Sequence, residues 1–245
     1  MNAFENAGQA VNRANATQTA PQIASRHLAL GIICSILFTV IFARLFDFVQ
    51  DHGKTITPFD RSILYFMYRH RTHHLTQAAT VLARMGSPPV IAGVALASAV
   101  VGIFWRKVRG AAWTMPVAII GAGIIIQAVK LVIKRPRPSF FAPVLHETGF
   151  SFPSGHSLIA MVVYGLLGYF LMHLFRNFWA RLAVRVLTVV VVVAIGVSRV
   201  YVGVHYPTDV LAGWVAGVPW LIACLALHEV LVRRWPSSGE PVLGR

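Results

Sequence analysis

Acidic side chains are nearly missing from this 245-residue chain: eight Asp and Glu stand against 22 Lys and Arg, and charged residues of both signs make up only 12%. Ordinary soluble domains carry roughly a quarter charged residues, so the deficit excludes a conventional soluble domain before any segment is inspected. Cysteine is also rare. Cys34 and Cys224 each lie within an apolar run, which excludes a disulfide framework or a cysteine metal pair and leaves two small buried hydrophobes. No polar stretch is long enough for a second domain, and no internal repeat is present. One membrane domain is the simplest count.

What is abundant is apolar surface, at 56% of residues. A hydrocarbon core needs about 20 apolar residues per helix, and six stretches come near that: residues 27–47, 78–105, 111–133, 156–175, 182–200 and 208–232. The fold expected is therefore all-α, a bundle of about six transmembrane helices. The second stretch contains Arg84 and the pair Pro88-Pro89, so its first part reads as interfacial and its span as starting near Pro89. Residues 59–75, between the first two stretches, form an amphipathic segment suited to the membrane surface. Its basic cluster, Arg69, His70, Arg71, His73 and His74, reads as a surface anchor toward headgroups. Residues 1–26 are polar and low in complexity and read as a disordered tail. Residues 27–235 form the membrane domain and 236–245 a short C-terminal tail.

The formal charge of +14 does not point to nucleic acid, because the cations are scattered between apolar runs and not gathered into one footprint. Arg13, Arg26, Arg106, Lys107, Arg109, Arg176, Arg181, Arg185, Arg233 and Arg234 fall on one face of a six-span bundle. The positive-inside tendency makes that face cytoplasmic, together with both termini. Lys134, Arg135 and Arg137 lie on the other face and break the rule.

That face gathers a distinct set of side chains. Lys130 and Arg137 end the third span, Ser154, Gly155 and His156 open the fourth, Ser198 and Arg199 close the fifth, and His205 and Asp209 open the sixth. Ionisable residues at such depths are expensive and suggest function. Lys130, Arg137 and Arg199 offer charge and forked donors that suit phosphate oxygens. Pro153-Ser154-Gly155 leads into a helix whose free N–H groups favour an anion, and Gly155 lets backbone come close. Asp209, in the first turn after Pro207, can accept the Nδ1 proton of His205 and leave the other ring nitrogen free to attack phosphorus. His156 can protonate the leaving oxygen, a contribution worth roughly 10²–10⁴-fold. The cations would stabilise the equatorial oxygens.

Three motifs carry these residues: K-x6-R-P from Lys130 to Pro138, P-S-G-H from Pro153 to His156, and S-R-x5-H-x3-D from Ser198 to Asp209. In this order, each at a helix end, they resemble the type 2 phosphatidic acid phosphatase superfamily, with no departure at a signature position. The resemblance implies a six-helix core, His205 as nucleophile, Asp209 as its partner and His156 as general acid. It implies that Lys130, Arg137, Ser154, Gly155 and Arg199 hold the phosphate, and that no metal or other cofactor takes part. A site with one carboxylate among several cations agrees, since it offers no oxygen-ligand set for Mg²⁺.

The partners expected are a lipid phosphate substrate and membrane lipids, with no nucleic acid. Phe152 to Ser157 and Arg199 to Pro207 are most similar to bacterial members, which places the chain in a bacterial inner membrane with its site on the extracytoplasmic face. Undecaprenyl diphosphate and phosphatidylglycerophosphate are the preferred substrates; a lipid A phosphatase, a phosphotransferase and a non-catalytic lipid-binding or transport protein are the alternatives. Oligomeric state is left open. Several residues receive plainer readings: His70, His73, His74 and His146 as structural, Lys134 and Arg135 as interfacial anchors, Glu147 as a solvated loop residue or a specificity element, and Phe140, Phe141, Phe150 and Phe152 as an aromatic belt or a lipid entrance.

Overall fold

The computed structural model describes residues 29–51, 56–104 and 110–234. The two expected tails and the loop bearing Arg106, Lys107 and Arg109 lie outside these residues. Among the described residues the chain forms eight helices and no strand: α1 (Ala29–Asp51), α2 (Pro58–Arg69), α3 (His73–Met85), α4 (Pro88–Phe104), α5 (Ala111–Ile133), α6 (Gly155–Met172), α7 (Phe178–Tyr201) and α8 (Pro207–Arg234).

Helices α1, α5, α6, α7 and α8 are each long and apolar enough to cross a membrane, and the pair α3–α4, bent by 53°, makes a sixth if it counts as one broken span. The break falls at Gly86-Ser87, where Pro88-Pro89 can start a helix but not continue one. The amphipathic segment is also divided. Thr57 caps α2 by accepting from the Asp60 N–H (3.0 Å), and Thr72 caps α3 by accepting from the Leu75 N–H (3.3 Å). The second apolar stretch therefore begins its helix at His73, inside the segment expected to lie apart from it.

Helix α6 is the hub, packed against α5, α7 and α8. Its Leu158, Ala160, Val162, Val163, Leu166 and Phe170 are all buried, the pattern of a helix surrounded by others. Helix α7 is two-faced: Val192 and Ile195 are buried while Val189, Val190 and Val193 face outward, so the valine run meets its surroundings on one side only.

Helix ends are set by local chemistry. Lys134 takes a left-handed conformation (φ 50°) and closes α5 through its N–H to the Lys130 carbonyl (3.0 Å), and Pro136 and Pro138 prevent further helix. Ser154 caps α6, accepting from the Ser157 N–H. The starts of α6 and α8 are tied directly, Ser154 N–H donating to the Asp209 carbonyl (2.9 Å). This close approach depends on Gly213, where a Cβ would stand 2.6 Å from the Ser154 carbonyl oxygen and 2.9 Å from Ser157 Cβ. Backbone cannot yield as a flexible side chain does, so Gly213→Ala is expected to cost about 1–3 kcal/mol and to lower the thermal midpoint in detergent. Gly123→Ala, at a position with nothing within 4 Å of the added carbon, should leave the midpoint near that of the parent chain.

Candidate active site

The short stretch between α7 and α8 presents His205, whose residue surface is 1% exposed, and the first turn of α8 presents the fully buried Asp209. His205 Nδ1 faces Asp209 Oδ2 at 3.4 Å, and the same oxygen accepts the Tyr206 N–H at 2.9 Å. On the other side of the ring, Nε2 meets Arg137 Nη1 at 3.3 Å. A guanidinium can only donate, so this contact requires a lone pair on Nε2 and puts the ring proton on Nδ1, toward Asp209. Burial, partly offset by Asp209, pushes the His205 pKa down to about 4, so the ring is neutral at neutral pH.

Arg137 is held by its loop: Nη1 donates to the Val204 carbonyl (2.9 Å), Nε to Gly149 (3.2 Å) and Nη2 to Thr148 (3.0 Å). Arg199, only 1% exposed, donates through Nη2 to Glu147 Oε1, while its buried Nε has no hydrogen-bond partner. An orphaned guanidinium N–H inside a protein is costly unless something else accepts from it. Lys130 lies within electrostatic range of Arg137, Arg199, Glu147 and Asp209. His156 lies within the same range of Arg199, Glu147, His205 and Arg137. The bent pair also borders His156, since a Cβ on Gly86 would sit 2.8 Å from its Cδ2, and the Tyr164 hydroxyl anchors that bend by donating to the Met85 carbonyl (2.8 Å). The α6 start brings Ser154, fully buried with its hydroxyl oxygen accepting from Ser157, and Gly155, whose added Cβ would make only ordinary contact with Ile126 at 3.5 Å. Ser198 alone turns away, donating to the Ile195 carbonyl of its own helix (2.6 Å).

The PAP2 superfamily model matches residues 111–233, the stretch from α5 into the last turn of α8. The chain is 32% identical over 171 residues to phosphatidylglycerophosphatase B of Bacillus subtilis (strain 168), covering 68% of this chain and 82% of that protein. It is 30% identical over 120 residues to undecaprenyl-diphosphatase of Sulfolobus acidocaldarius, covering 47% and 54%. The crystal structure of a transmembrane PAP2-type phosphatidylglycerolphosphate phosphatase from Bacillus subtilis superposes with a TM-score of 0.73 at 28% identity, covering 80% of this chain and 96% of that one. The chain belongs to the PAP2 superfamily.

As a PAP2 protein it is an integral membrane protein, and its five membrane-length helices, six spans with the bent pair, agree with the expected architecture. Two expectations for individual residues need correction, and a third residue gains partners. Arg135 is no interfacial anchor: it is 2% exposed, and bridges Asp60 Oδ2 (2.8 Å) and Asp209 Oδ1 (2.6 Å) with Tyr206 4.0 Å beneath its guanidinium. Burial alone would weaken its hold on the proton, and the two carboxylates more than reverse this, so its pKa is raised. Glu147 is exposed, as a loop residue should be, but it is not merely solvated, because Arg199 and Arg137 (3.6 Å) both pair with it. Burial favours its protonated form, yet the Arg199 charge and hydrogen bond prevail and hold its carboxyl below the ordinary range. Phe152 is fully buried and stacked on Phe42 of α1 at 6.3 Å, so it belongs to the packing between helices and not to a surface belt.

The basic cluster likewise divides. His70 and His73 make helix-local bonds to Phe66 and Gln77, whereas Arg71 reaches across to the carbonyls of Ala142 and Tyr201 (both 3.0 Å) and ties the α2–α3 turn to the site loop. Asp60 was missed entirely in the sequence. The available signals were its rarity as a carboxylate and the rule-breaking Arg135, which needed a buried partner.

A titration follows from the His205 geometry. In histidine-¹⁵N-labelled protein, one ring signal, absent in His205→Asn, is expected to keep the neutral Nδ1–H form until about pH 4. An unfolded chain takes up that proton near pH 6.5, so the His205 contribution to stability is lost as pH falls from about 6.5 toward 4. Ordinary titration of the signal near 6.5 would contradict the assignment.

Proposed function

We propose that the chain, a membrane lipid phosphatase of the PAP2 superfamily, hydrolyses lipid phosphates by transferring the phosphoryl group to His205. The observation that carries this reading is the two-sided setting of one imidazole: Asp209 holds Nδ1, while Nε2 faces the space shared by Arg137, Arg199 and His156. Nε2 attacks phosphorus, and the P–O bond to the lipid breaks as His156 donates a proton to the leaving oxygen. The ring then carries positive charge, balanced by Asp209. In the second half, His156 takes a proton from water, the water oxygen attacks phosphorus, and the P–N bond breaks to release phosphate and neutral His205.

Lys130, Arg137 and Arg199 would bind the equatorial oxygens, with the α6 N-terminus at Ser154-Gly155 supplying backbone N–H groups. Metal is not required in this scheme, since the carboxylates at the site, Asp209 and Glu147, are already paired with arginines. Phosphatidylglycerophosphate is the preferred substrate, supported by the breadth of similarity to the Bacillus enzyme of that name. Undecaprenyl diphosphate is the second reading, supported by the Sulfolobus relative. The arginine distribution supports a site on the extracytoplasmic face with cytoplasmic termini, the Bacillus relative supports a bacterial inner membrane, and the membrane domain is read as one unit from residue 27 to 235.

The test is phosphate release by detergent-purified protein in EDTA from phosphatidylglycerophosphate, undecaprenyl diphosphate, phosphatidic acid and lipid A. His205→Ala should lose at least about 10⁴-fold in kcat, because no nucleophile remains, and Asp209→Asn about 10²–10⁴-fold. Near-normal turnover by His205→Ala would sink the mechanism, and transfer of phosphate to an added lipid alcohol in place of release would make the enzyme a transferase.

Glu147 generates a second prediction. Its carboxylate pairs with the two arginines assigned to the substrate phosphate, so the incoming anion must displace it. Glu147→Gln is expected to tighten product inhibition by inorganic phosphate by about tenfold, the worth of one charge-assisted hydrogen bond. An unchanged inhibition constant would show that carboxylate and phosphate do not compete.

A further inference from the structure

Helix α2 lies outside the residues matched by the family model, yet it contributes a side chain that reaches the catalytic pair. Asp60 is fully buried. As the third residue of a helix capped by Thr57, its ordinary role would be to serve the α2 N-terminus. Its carboxylate is used elsewhere. Oδ1 accepts the Thr208 N–H (3.0 Å), and Oδ2 accepts the Thr208 hydroxyl (2.9 Å) and Arg135 Nη2 (2.8 Å). Asp60 is thus an N-terminal cap for α8 supplied from 148 residues away, directly after Pro207. Arg135 completes the circuit, its Nη1 donating to the Thr208 hydroxyl (2.7 Å) and to Asp209 Oδ1 (2.6 Å).

We propose that Asp60 is a positioning residue for phosphoryl transfer, setting the orientation and the charge of Asp209 through Arg135. The inference rests on the proposed role of the His205–Asp209 pair. Its physical content is the sharing of one guanidinium. With all groups ionised, Asp60, Arg135 and Asp209 together carry one net negative charge. Remove Asp60, and Arg135 is left to neutralise Asp209 alone. The charges facing His205 would then shift toward the positive: Arg137 and Arg199 are already in range, Lys130 and His156 border the same space, and Glu147 is committed to the arginines. Attack by Nε2 creates a ring cation, so a weaker negative field at Asp209 opposes the chemical step while leaving the phosphate-binding cations untouched.

The experiment compares Asp60→Asn and Asp60→Glu with the parent enzyme and His205→Ala, in detergent with EDTA, measuring kcat, KM and the pH dependence of kcat/KM on phosphatidylglycerophosphate. Asp60→Asn is expected to lower kcat about 10- to 100-fold, as loss of an outer-shell partner does, with KM within about twofold. Its acid limb should move to lower pH by about half a unit to one unit, because a negative charge near a group that becomes cationic has been removed. Asp60→Glu, which keeps the charge, should hold the parent limb and recover part of kcat. Parent values of kcat and limb in Asp60→Asn would overturn the proposal. So would a fall in kcat with the limb unmoved, which is the signature of a purely structural clamp. Where Asp60→Asn does not fold, Asp60→Glu decides alone: a limb shifted from the parent position despite the retained carboxylate overturns the idea. Activity in His205→Ala would instead show that the underlying mechanism is at fault.

Discussion

The ion pair between Arg135 and two buried carboxylates is the constraint on which the site depends. A guanidinium and two carboxylates taken out of water are tolerable only when each is closely paired and hydrogen-bonded, and here the geometry leaves little freedom. Arg135 must lie just past the end of α5, Asp60 in the first turn of α2, and Asp209 in the first turn of α8. Satisfying the three charges therefore docks three sequence-distant helix ends on one another. The imidazole of His205 is oriented as a consequence, because Asp209 is already pinned when it meets Nδ1.

Around that knot the helices are brought close by small residues. Gly213 lets the start of α8 touch the backbone that starts α6, and Gly86 lets the bend between α3 and α4 press on His156. One contact sets the distance between the helices that present His156 and Asp209, and the other borders His156 from the side. The bend also explains why a proline pair sits in an apolar stretch: an unbroken helix there would carry its axis past His156 instead of turning beside it.

The cations carry a second constraint. Arg137 and Arg199 stand close enough to share Glu147, and like charges at that range repel strongly in a medium of low polarity. The carboxylate offsets that repulsion, and under the proposed function a substrate phosphate would take over the same duty. This accounts for the one carboxylate in a loop that otherwise carries the cations Lys134, Arg135 and Arg137.

The sequence by itself determined the membrane class, the number and approximate bounds of the spans, and the grouping of Lys130, Arg137, His156, Arg199, His205 and Asp209 at one end of the bundle. These follow from hydrophobic length and from the alternation of antiparallel passes, both of which are one-dimensional properties. Only the tertiary structure decided the partners. Nothing local to Asp60 or Arg135 distinguishes a solvated charge from a buried one, and nothing local to Glu147 announces its arginine partners, since their spacing to Asp209, Thr208 and Arg199 is long and carries no period. Arg71 and Phe152 show the same limit: a basic turn and an aromatic beside a motif read as surface features until packing turns them inward. Burial and pairing are relations between distant segments, and they exist only once the helices have met.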